Sequence, residues 1–252
     1  RDRSVSRGLG DVYKRQSMNT IVTNMTLMRT VCNWVRKQGV TNNDPFFGYD
    51  MPKALYGTPY FLTIQERDQV LDADLTDDAE LAEYRDMFVF QCMVGCRHSD
   101  LVTFTPKNII DGVLEYIPIK TKGKLGDVVR VPLIPKAMAI LDGHDHGDDE
   151  PIFPKHYNFK FNDAIRRILK RAKVNRVVTV INPKTRLEEK KPISDVATSH
   201  LARRTFIGNL YRMVKDPDLV ASMSGHAKGS VAFARYRVID DDMKKSLVEL
   251  IQ

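Results

Sequence analysis

The clearest hydrophobic pattern near the start of the chain lies between residues 18 and 38. Apolar residues recur there at intervals of three and four, at Ile21, Met25, Met28, Val31 and Val35. This spacing predicts an amphipathic helix that ends at Gly39. Because one helix cannot bury its apolar face alone, we expect residues 17–40 to be the C-terminal remnant of a helical domain.

From residue 60 onward the pattern is mainly helical, with two short stretches of alternating residues. Thr63 and Glu66 have the spacing of a capping box, which marks a helix start. Alternating apolar residues on both sides of a Lys/Gly turn, in "VLEYIPIKTKGKLGDVVRVPL", predict a β-hairpin, and residues 177–192 predict a second, smaller one. Further helices are predicted at 78–95, 134–142, 157–172, 198–214, 217–223, 229–236 and 240–251. The expected fold class is α+β, mainly α, with a small antiparallel sheet.

The chain is expected to divide into four segments. Residues 1–16 lack periodicity and are rich in Arg, Ser and Gly, so they are interpreted as non-native or disordered, with a basic DNA-binding arm as the alternative. Residues 17–40 are the helical remnant. Residues 41–61, rich in Asn, Asp, Pro and Gly, form a linker, and residues 62–252 form the main domain.

Composition narrows the function classes. The 252 residues are 42% hydrophobic and 28% charged, as in ordinary globular proteins, and the net charge of +7 is compatible with nucleic-acid binding. No apolar run approaches the length of a membrane span, and no signal peptide is visible. Three cysteines imply no disulfide framework, so a reducing cytoplasm is the expected location. Cys92 and Cys96 suit core packing on a buried helix better than a zinc site.

Four places carry residues with possible chemistry, and each also has an ordinary structural interpretation. Arg97 follows a helix and could simply interact with its dipole. Lysines in the hairpin turn could be solvated edge residues. The sequence "HLARR" places His200 and Arg203 on one helix face, where such pairs are often surface contacts. In "SGHAKGSVAFARYR", His226 precedes Tyr236, which could be a packing residue. The acidic loop "HDHGDDE" lacks a partner cluster, and no metal or cofactor is expected.

The order of these four places resembles the tyrosine recombinases, also called the phage integrase family. The resemblance covers roughly residues 60–252, and the helix at 18–38 resembles the end of that family's N-terminal core-binding domain. It implies that a scissile DNA phosphate is surrounded by Arg97, Lys120, His200, Arg203 and His226, with Tyr236 as nucleophile and Asp100 in support. Lys122 could take the place of Lys120 after a register shift. The gap from His226 to Tyr236 is ten residues, one longer than the commonest spacing in the family.

The chemistry of phosphodiester cleavage agrees with these residue types. Arginines stay charged and donate forked hydrogen bonds to the non-bridging oxygens. Ionising a tyrosine hydroxyl, whose pKa is about 10, costs about 4 kcal/mol at neutral pH. Nearby positive charge and a histidine base lower that cost, and a lysine can protonate the leaving 5′-oxygen. Attack by tyrosine conserves the bond as a phosphotyrosine ester that a 5′-hydroxyl can reverse.

The expected function is therefore a site-specific recombinase that acts through a 3′-phosphotyrosine intermediate, integrating or excising a bacterial mobile element. The alternatives are a non-catalytic DNA-binding relic of an integrase and a DNA-relaxing enzyme similar to type IB topoisomerases. The expected partners are double-stranded DNA and, on it, three further copies in a homotetramer, with no membrane. A basic stretch is the candidate for DNA-backbone contact, through Arg166, Arg167, Lys170 and Arg171.

Overall fold

The computed structural model describes residues 17–121, 128–144, 147–214, 216–226 and 248–249. The described elements of the first half are helices α1 (Met18–Lys37), α2 (Ile64–Leu71), α3 (Ala79–Val94) and α4 (His98–Leu101), and strands β1 (Ile109–Ile110), β2 (Val113–Tyr116) and β3 (Val129–Pro132). Those of the second half are helices α5 (Pro135–Asp142) and α6 (Asn158–Arg171), strands β4 (Val177–Ile181) and β5 (Glu188–Pro192), and helices α7 (Ile193–Val196), α8 (Ser199–Val214) and α9 (Pro217–Ser224).

The chain divides into two compact units. The first contains residues up to 57 together with residues 179–190, and the second contains residues 58–178 and the chain from residue 191 onward. Within the first unit, α1 begins at an N-cap, Ser17, and has no buried residue. The amide of Asn19 donates to the Leu55 carbonyl, and its side-chain oxygen accepts from the Leu55 N–H, so the connecting segment is tied to the helix.

The centre of the second unit is α3, which packs against α8 and α6. Ten of its sixteen residues are buried, because its sequence is apolar on nearly every side after the first turn. The surrounding core contains the aromatic side chains of Phe104, Phe153 and Phe161. A helix that is buried all round provides a rigid base for the residues that follow its C-terminus.

The sheet of the second unit is antiparallel, in the order β1-β2-β3. Tyr116 pairs with Val129 at the open end of the β2–β3 pair. The two strands alternate buried and more exposed residues, as the sequence pattern predicted. Strands β4 and β5 form a separate two-stranded sheet, which confirms the second predicted hairpin.

One group of short elements departs from the sequence predictions. The short β1 strand and the one-turn helices α4 and α7 were not predicted, since each is too short to show a period. The helices predicted at 229–236 and 240–251 fall almost wholly outside the described residues. Among the described residues, no helix has the length and apolar character needed to cross a membrane.

Candidate active site

The C-terminal end of α3 determines the position of Arg97. The helix stops at Gly95, which adopts a left-handed conformation with φ of 69°, and Arg97 then becomes the N-cap residue of α4. A side chain at position 95 would meet the Phe206 ring at 2.2 Å, so this turn requires glycine. Arg97 is half-buried, and within the described part of the chain its buried Nη1 atom has no hydrogen-bond partner. An N–H group of this kind is well suited to bind an anion.

Arg203 lies on α8 and is almost completely buried, with 1% of its surface exposed. Its Nη1 donates a hydrogen bond of 2.7 Å to the Gly95 carbonyl, at the C-terminal end of α3. Its Nη2 lies 3.0 Å from Nδ1 and 3.2 Å from Nε2 of His226. Arg203 therefore connects the turn before Arg97 with the histidine that follows α9.

His200 lies one turn before Arg203 on the same helix. The residue as a whole is exposed, but partial burial of the imidazole lowers its pKa to about 4, and the positive charges of Arg204, Arg203 and Arg97 contribute to this shift. Arg204 itself lies over the Tyr60 ring, 5.1 Å from the ring centre. The imidazole of His200 is therefore neutral at physiological pH.

His226 follows the C-cap of α9, Gly225, which is also left-handed with φ of 64°. Burial lowers the pKa of His226 to about 3, with added contributions from the charges of Arg203, Arg97, His200 and Lys120. These influences require the five side chains to lie within one electrostatic neighbourhood. The structure thus brings together residues from four separate parts of the chain.

Lys120 is held by the segment between β2 and β3 rather than by a strand. It is exposed and lies in a one-turn 3-10 helix, Ile119–Thr121. The Ile119 N–H donates 2.9 Å to Oδ1 of Asp100, which is 1% exposed, and Pro118 has no N–H to continue the ladder. The carboxylate of Asp100 therefore fixes the backbone that carries Lys120.

Two of the candidate residues lie outside the described part of the chain. Tyr236 is one, and Lys122, the alternative to Lys120, is the other. Among the described residues, no group of three or more His, Cys, Asp and Glu side chains is arranged to hold a metal ion.

The basic stretch on α6 is engaged with carboxylates, which the sequence did not indicate. Arg167 pairs with Asp78 at 2.7 Å, Lys170 with Asp195 at 2.8 Å and Arg166 with Asp163 at 3.4 Å, while Arg171 contacts Asp77. Asp77 and Asp78 are more than 85 residues away in sequence, so local charge counting could not find these pairs. The free positive charge of this helix is smaller than its sequence suggests.

Sequence reasoning also missed residues that support the site. Gly95 and Ser224 were not singled out, although a glycine directly after a long helix was an available signal. The Oγ of Ser224 lies 2.8 Å from Nδ1 of His226, and it gave no comparable signal because this contact depends on the turn at Gly225.

Taken together, the arrangement is a group of three cations with two histidines that stay neutral. Such a group binds an anion, and it holds donors that keep their charge while negative charge develops on a bound phosphate. The neutral imidazoles add hydrogen-bonding nitrogens that can accept a proton.

The fold is shared with solved recombinase structures. The chain resembles the Tn1549 transposon integrase in complex with a circular intermediate DNA (TM-score 0.67, 16% identity, covering 97% of this chain and 83% of that chain). It also resembles a λ integrase dimer bound to a core site (TM-score 0.59, 16% identity, covering 86% of this chain and 71% of that chain). The similarity to XerA recombinase has a TM-score of 0.53 at 15% identity and covers 80% of this chain and 66% of that chain. The chain therefore spans about two thirds of the length of that protein.

No curated protein matches the sequence. The family model described as "Phage integrase family" matches residues 60–243, which is most of the chain and includes every residue of the candidate site. The chain therefore belongs to the phage integrase family, the tyrosine recombinases.

Proposed function

We propose that this protein is an active site-specific recombinase that cleaves and rejoins duplex DNA through a 3′-phosphotyrosine intermediate. The observation that supports this most is the convergence of Arg97, Lys120 and Arg203 with two neutral histidines around one small region. We further propose that the biological outcome is integration or excision of a mobile element.

In this proposal a backbone phosphate binds between Arg97 and Arg203. The buried Nη1 of Arg97 and the fixed guanidinium of Arg203 donate hydrogen bonds to its non-bridging oxygens. Negative charge grows on those oxygens in the transition state, so donors that are already in position stabilise it more than the ground state. Removing one such donor costs on the order of 10²–10³ in rate.

The reaction itself requires a nucleophile and two proton transfers. The Tyr236 hydroxyl attacks phosphorus, its proton passes to a neutral histidine nitrogen, and the bond between phosphorus and the 5′-oxygen breaks. Lys120 then gives a proton to the leaving 5′-oxygen. In the reverse direction, a 5′-hydroxyl of another strand attacks the phosphotyrosine ester and Tyr236 is released, so no high-energy cofactor is needed.

We propose that residues 17–40 belong to a core-binding domain, that residues 41–61 link it to the catalytic domain, and that residues 62–252 form the latter. In support, α1 has no buried residue and exposes Met28, Val31 and Trp34. These are side chains that a larger helical domain would cover. Residues 1–16, interpreted above as non-native or disordered, lie outside the described part of the chain.

DNA affinity is proposed to arise from the catalytic cations together with Arg166, Arg167, Lys170 and Arg171. Their ion pairs with carboxylates are solvent-exposed, and water and salt screen such pairs, so they add little to stability. A DNA phosphate can therefore displace the carboxylates at small cost. We also propose a homotetramer on DNA, in which the segment "DDDMKKSLVELIQ" of one copy packs on its neighbour, since Met243, Leu247, Leu250 and Ile251 share one predicted helix face.

The deciding experiment is covalent trapping on nicked duplex DNA that the chain has been shown to bind. We expect a protein–DNA adduct through a 3′-phosphate, with a free 5′-hydroxyl on the other fragment. Tyr236→Phe removes only the hydroxyl, so DNA binding persists and the adduct disappears. The matched control is Tyr157→Phe, because the Tyr157 ring is 75% exposed and stacks on Phe159, and it should leave trapping intact. An adduct that persists in Tyr236→Phe would exclude this residue as the nucleophile.

A further inference from the structure

Three side chains on one face of α6 hold the segment that leads into α8. Asn158, Asn162 and Arg166 follow one another at intervals of four residues, which places them above one another on the helix surface. The first two accept hydrogen bonds from Ser199, and Nη1 of Arg166 donates to the Ala197 carbonyl over 3.4 Å. The start of α8 is therefore attached to α6 at successive turns of that helix.

Asn162 supplies an acceptor that α8 itself lacks. Ser199 is the first residue of α8, and the first N–H groups of a helix have no intrahelical carbonyl to bond to. The Ser199 N–H donates to Oδ1 of Asn162 at 2.7 Å. A backbone N–H can only donate, so the amide of Asn162 must present its oxygen here, which fixes its orientation. Ser199 is 8% exposed, so water has little access to replace this acceptor.

The backbone is fixed on both sides of His200. Before it, the Ser199 hydroxyl donates to Oδ1 of Asn158 at 3.1 Å, so Ser199 is bonded to α6 through its main chain and its side chain. After it, Leu201 is 1% exposed, and its N–H donates to the Thr198 carbonyl at 2.8 Å. The exposed residue between them therefore extends from a turn that α6 and the core both hold.

We propose that Asn162 is a positioning residue for the candidate active site, and that with Asn158 it sets the first turn of α8 and so the place of the His200 imidazole. An amide accepts the hydrogen bond without adding charge. A carboxylate would accept it as well, but it would bring negative charge toward the cations proposed to bind a phosphate. The significance of this for catalysis rests on the proposed recombinase function.

The titration of His200 reports the place of its ring in the full chain without DNA. Burial and the charges of Arg204, Arg203 and Arg97 lower its pKa to about 4, whereas a ring in water titrates near 6.5. Nitrogen NMR of ¹⁵N-histidine protein between pH values of about 5 and 8 follows this change, and His200→Gln identifies the signals. We expect the wild-type ring to stay neutral over this range. In Asn162→Ala the turn is released and the ring should become protonated within the range. An unchanged titration would overturn the proposal.

Asn158→Ala is the milder variant, since it leaves the Ser199 N–H with its acceptor and changes an exposed residue. It should shift the titration in the same direction by less, and it decides the question if Asn162→Ala does not fold. The matched control is Asn209→Ala. Asn209 is on α8 itself and donates to the Leu62 and Thr205 carbonyls at 2.9 and 2.8 Å, away from the first turn. Its loss should lower stability and leave the titration unchanged, and an equal shift in Asn209→Ala would overturn the specific role of Asn162.

Single-turnover cleavage of DNA that the chain has been shown to bind tests the catalytic consequence. We expect Asn162→Ala to bind this DNA and cleave it more slowly, by at most the roughly 10²–10⁴ that a positioned acid or base contributes. A shifted titration with unaltered cleavage would support the positioning and instead contradict the part of His200 in the proposed function. If wild type itself does not cleave, the proposed function fails, and the titration still decides the role of Asn162.

Discussion

The guanidinium of Arg203 is bonded to the backbone carbonyl of Gly95, 108 residues earlier in the chain. That carbonyl is one of the last of α3, where the intrahelical acceptors have no further N–H partner. The same bond therefore completes the end of the central helix and orients the guanidinium toward His226. A residue proposed for catalysis is at the same time part of the core.

Arg203→Lys tests this double role. Lysine keeps the positive charge but lacks the planar fork, so it cannot serve both Gly95 and a phosphate. We expect cleavage of bound DNA to fall by roughly 10²–10³. We also expect the free energy of unfolding to decrease by about 1–3 kcal/mol, because a buried carbonyl loses its partner. Urea unfolding and single-turnover trapping measure the two effects. A variant with unchanged stability and activity would contradict both assignments.

Gly95→Ala is expected to be among the most destabilising small substitutions. The left-handed backbone costs about 1–3 kcal/mol for a residue with a side chain, and the contact with Phe206 adds overpacking of about 1–3 kcal/mol. The control is Gly112→Ala, since Gly112 has φ of 75° but no atom within 4 Å of the added carbon. Thermal and urea unfolding should show the larger loss for Gly95→Ala. Equal losses of stability in the two variants would mean that the contact with Phe206 does not contribute.

Local features of this fold could be predicted from the sequence. The Thr63–Glu66 capping box is present with both of its hydrogen bonds, 3.1 Å and 2.8 Å. The predicted helix at 18–38 is confirmed as Met18–Lys37. These features depend on residues within a few positions of each other, so periodicity and capping rules are sufficient.

The contacts that complete the site could not be predicted in this way. The bond from Arg203 to Gly95 and the bond from Ile119 to Asp100 join separate elements, and their existence depends on how those elements pack. The position of Lys120 could not be predicted either. The alternating pattern indicated a hairpin, but it did not show that the Ile119 N–H would bond to the carboxylate of Asp100 instead of to the neighbouring strand. The resemblance to a family supplied the candidate residues, but it gave no indication of the contact between Ser224 and His226.

Stability should decrease as the pH falls below neutral. Burial and neighbouring cations lower the pKa of His226 to about 3, whereas a histidine in the unfolded chain titrates near 6.5. Between these two pH values the unfolded state binds a proton that the folded state does not, so the free energy of unfolding rises with pH. The contribution of His226 to stability reaches its full value above a pH of about 6.5. His200 contributes with the same sign.

Urea midpoints at a series of pH values between about 5 and 8 measure this dependence. His226→Gln cannot titrate, so its midpoint should change less with pH than that of wild type. A wild-type midpoint that increases on acidification would contradict the neutral state of these histidines.

The proposed DNA contact of α6 predicts a change in salt dependence. Each lost phosphate contact reduces the slope of log K against log salt by roughly 0.9. If Arg167 and Arg171 leave their carboxylates to bind DNA, Arg167→Ala with Arg171→Ala should reduce the slope by about twice that amount. Asp77→Asn with Asp78→Asn should strengthen binding, because the competing carboxylates are gone. Fluorescence anisotropy over a salt series measures both the affinity for DNA and its salt slope. An unchanged slope in the double Ala variant would contradict the proposed contact between α6 and DNA.

The burial of α3 has a practical consequence for labelling. Burial raises the pKa of the Cys92 and Cys96 thiols far above the usual value, so neither forms the thiolate that reacts with maleimides. Cys32, on α1, is the remaining cysteine of the chain and is only partly covered. Without any substitution, the chain therefore has one preferred attachment point for a fluorophore, whose anisotropy reports rotation on DNA.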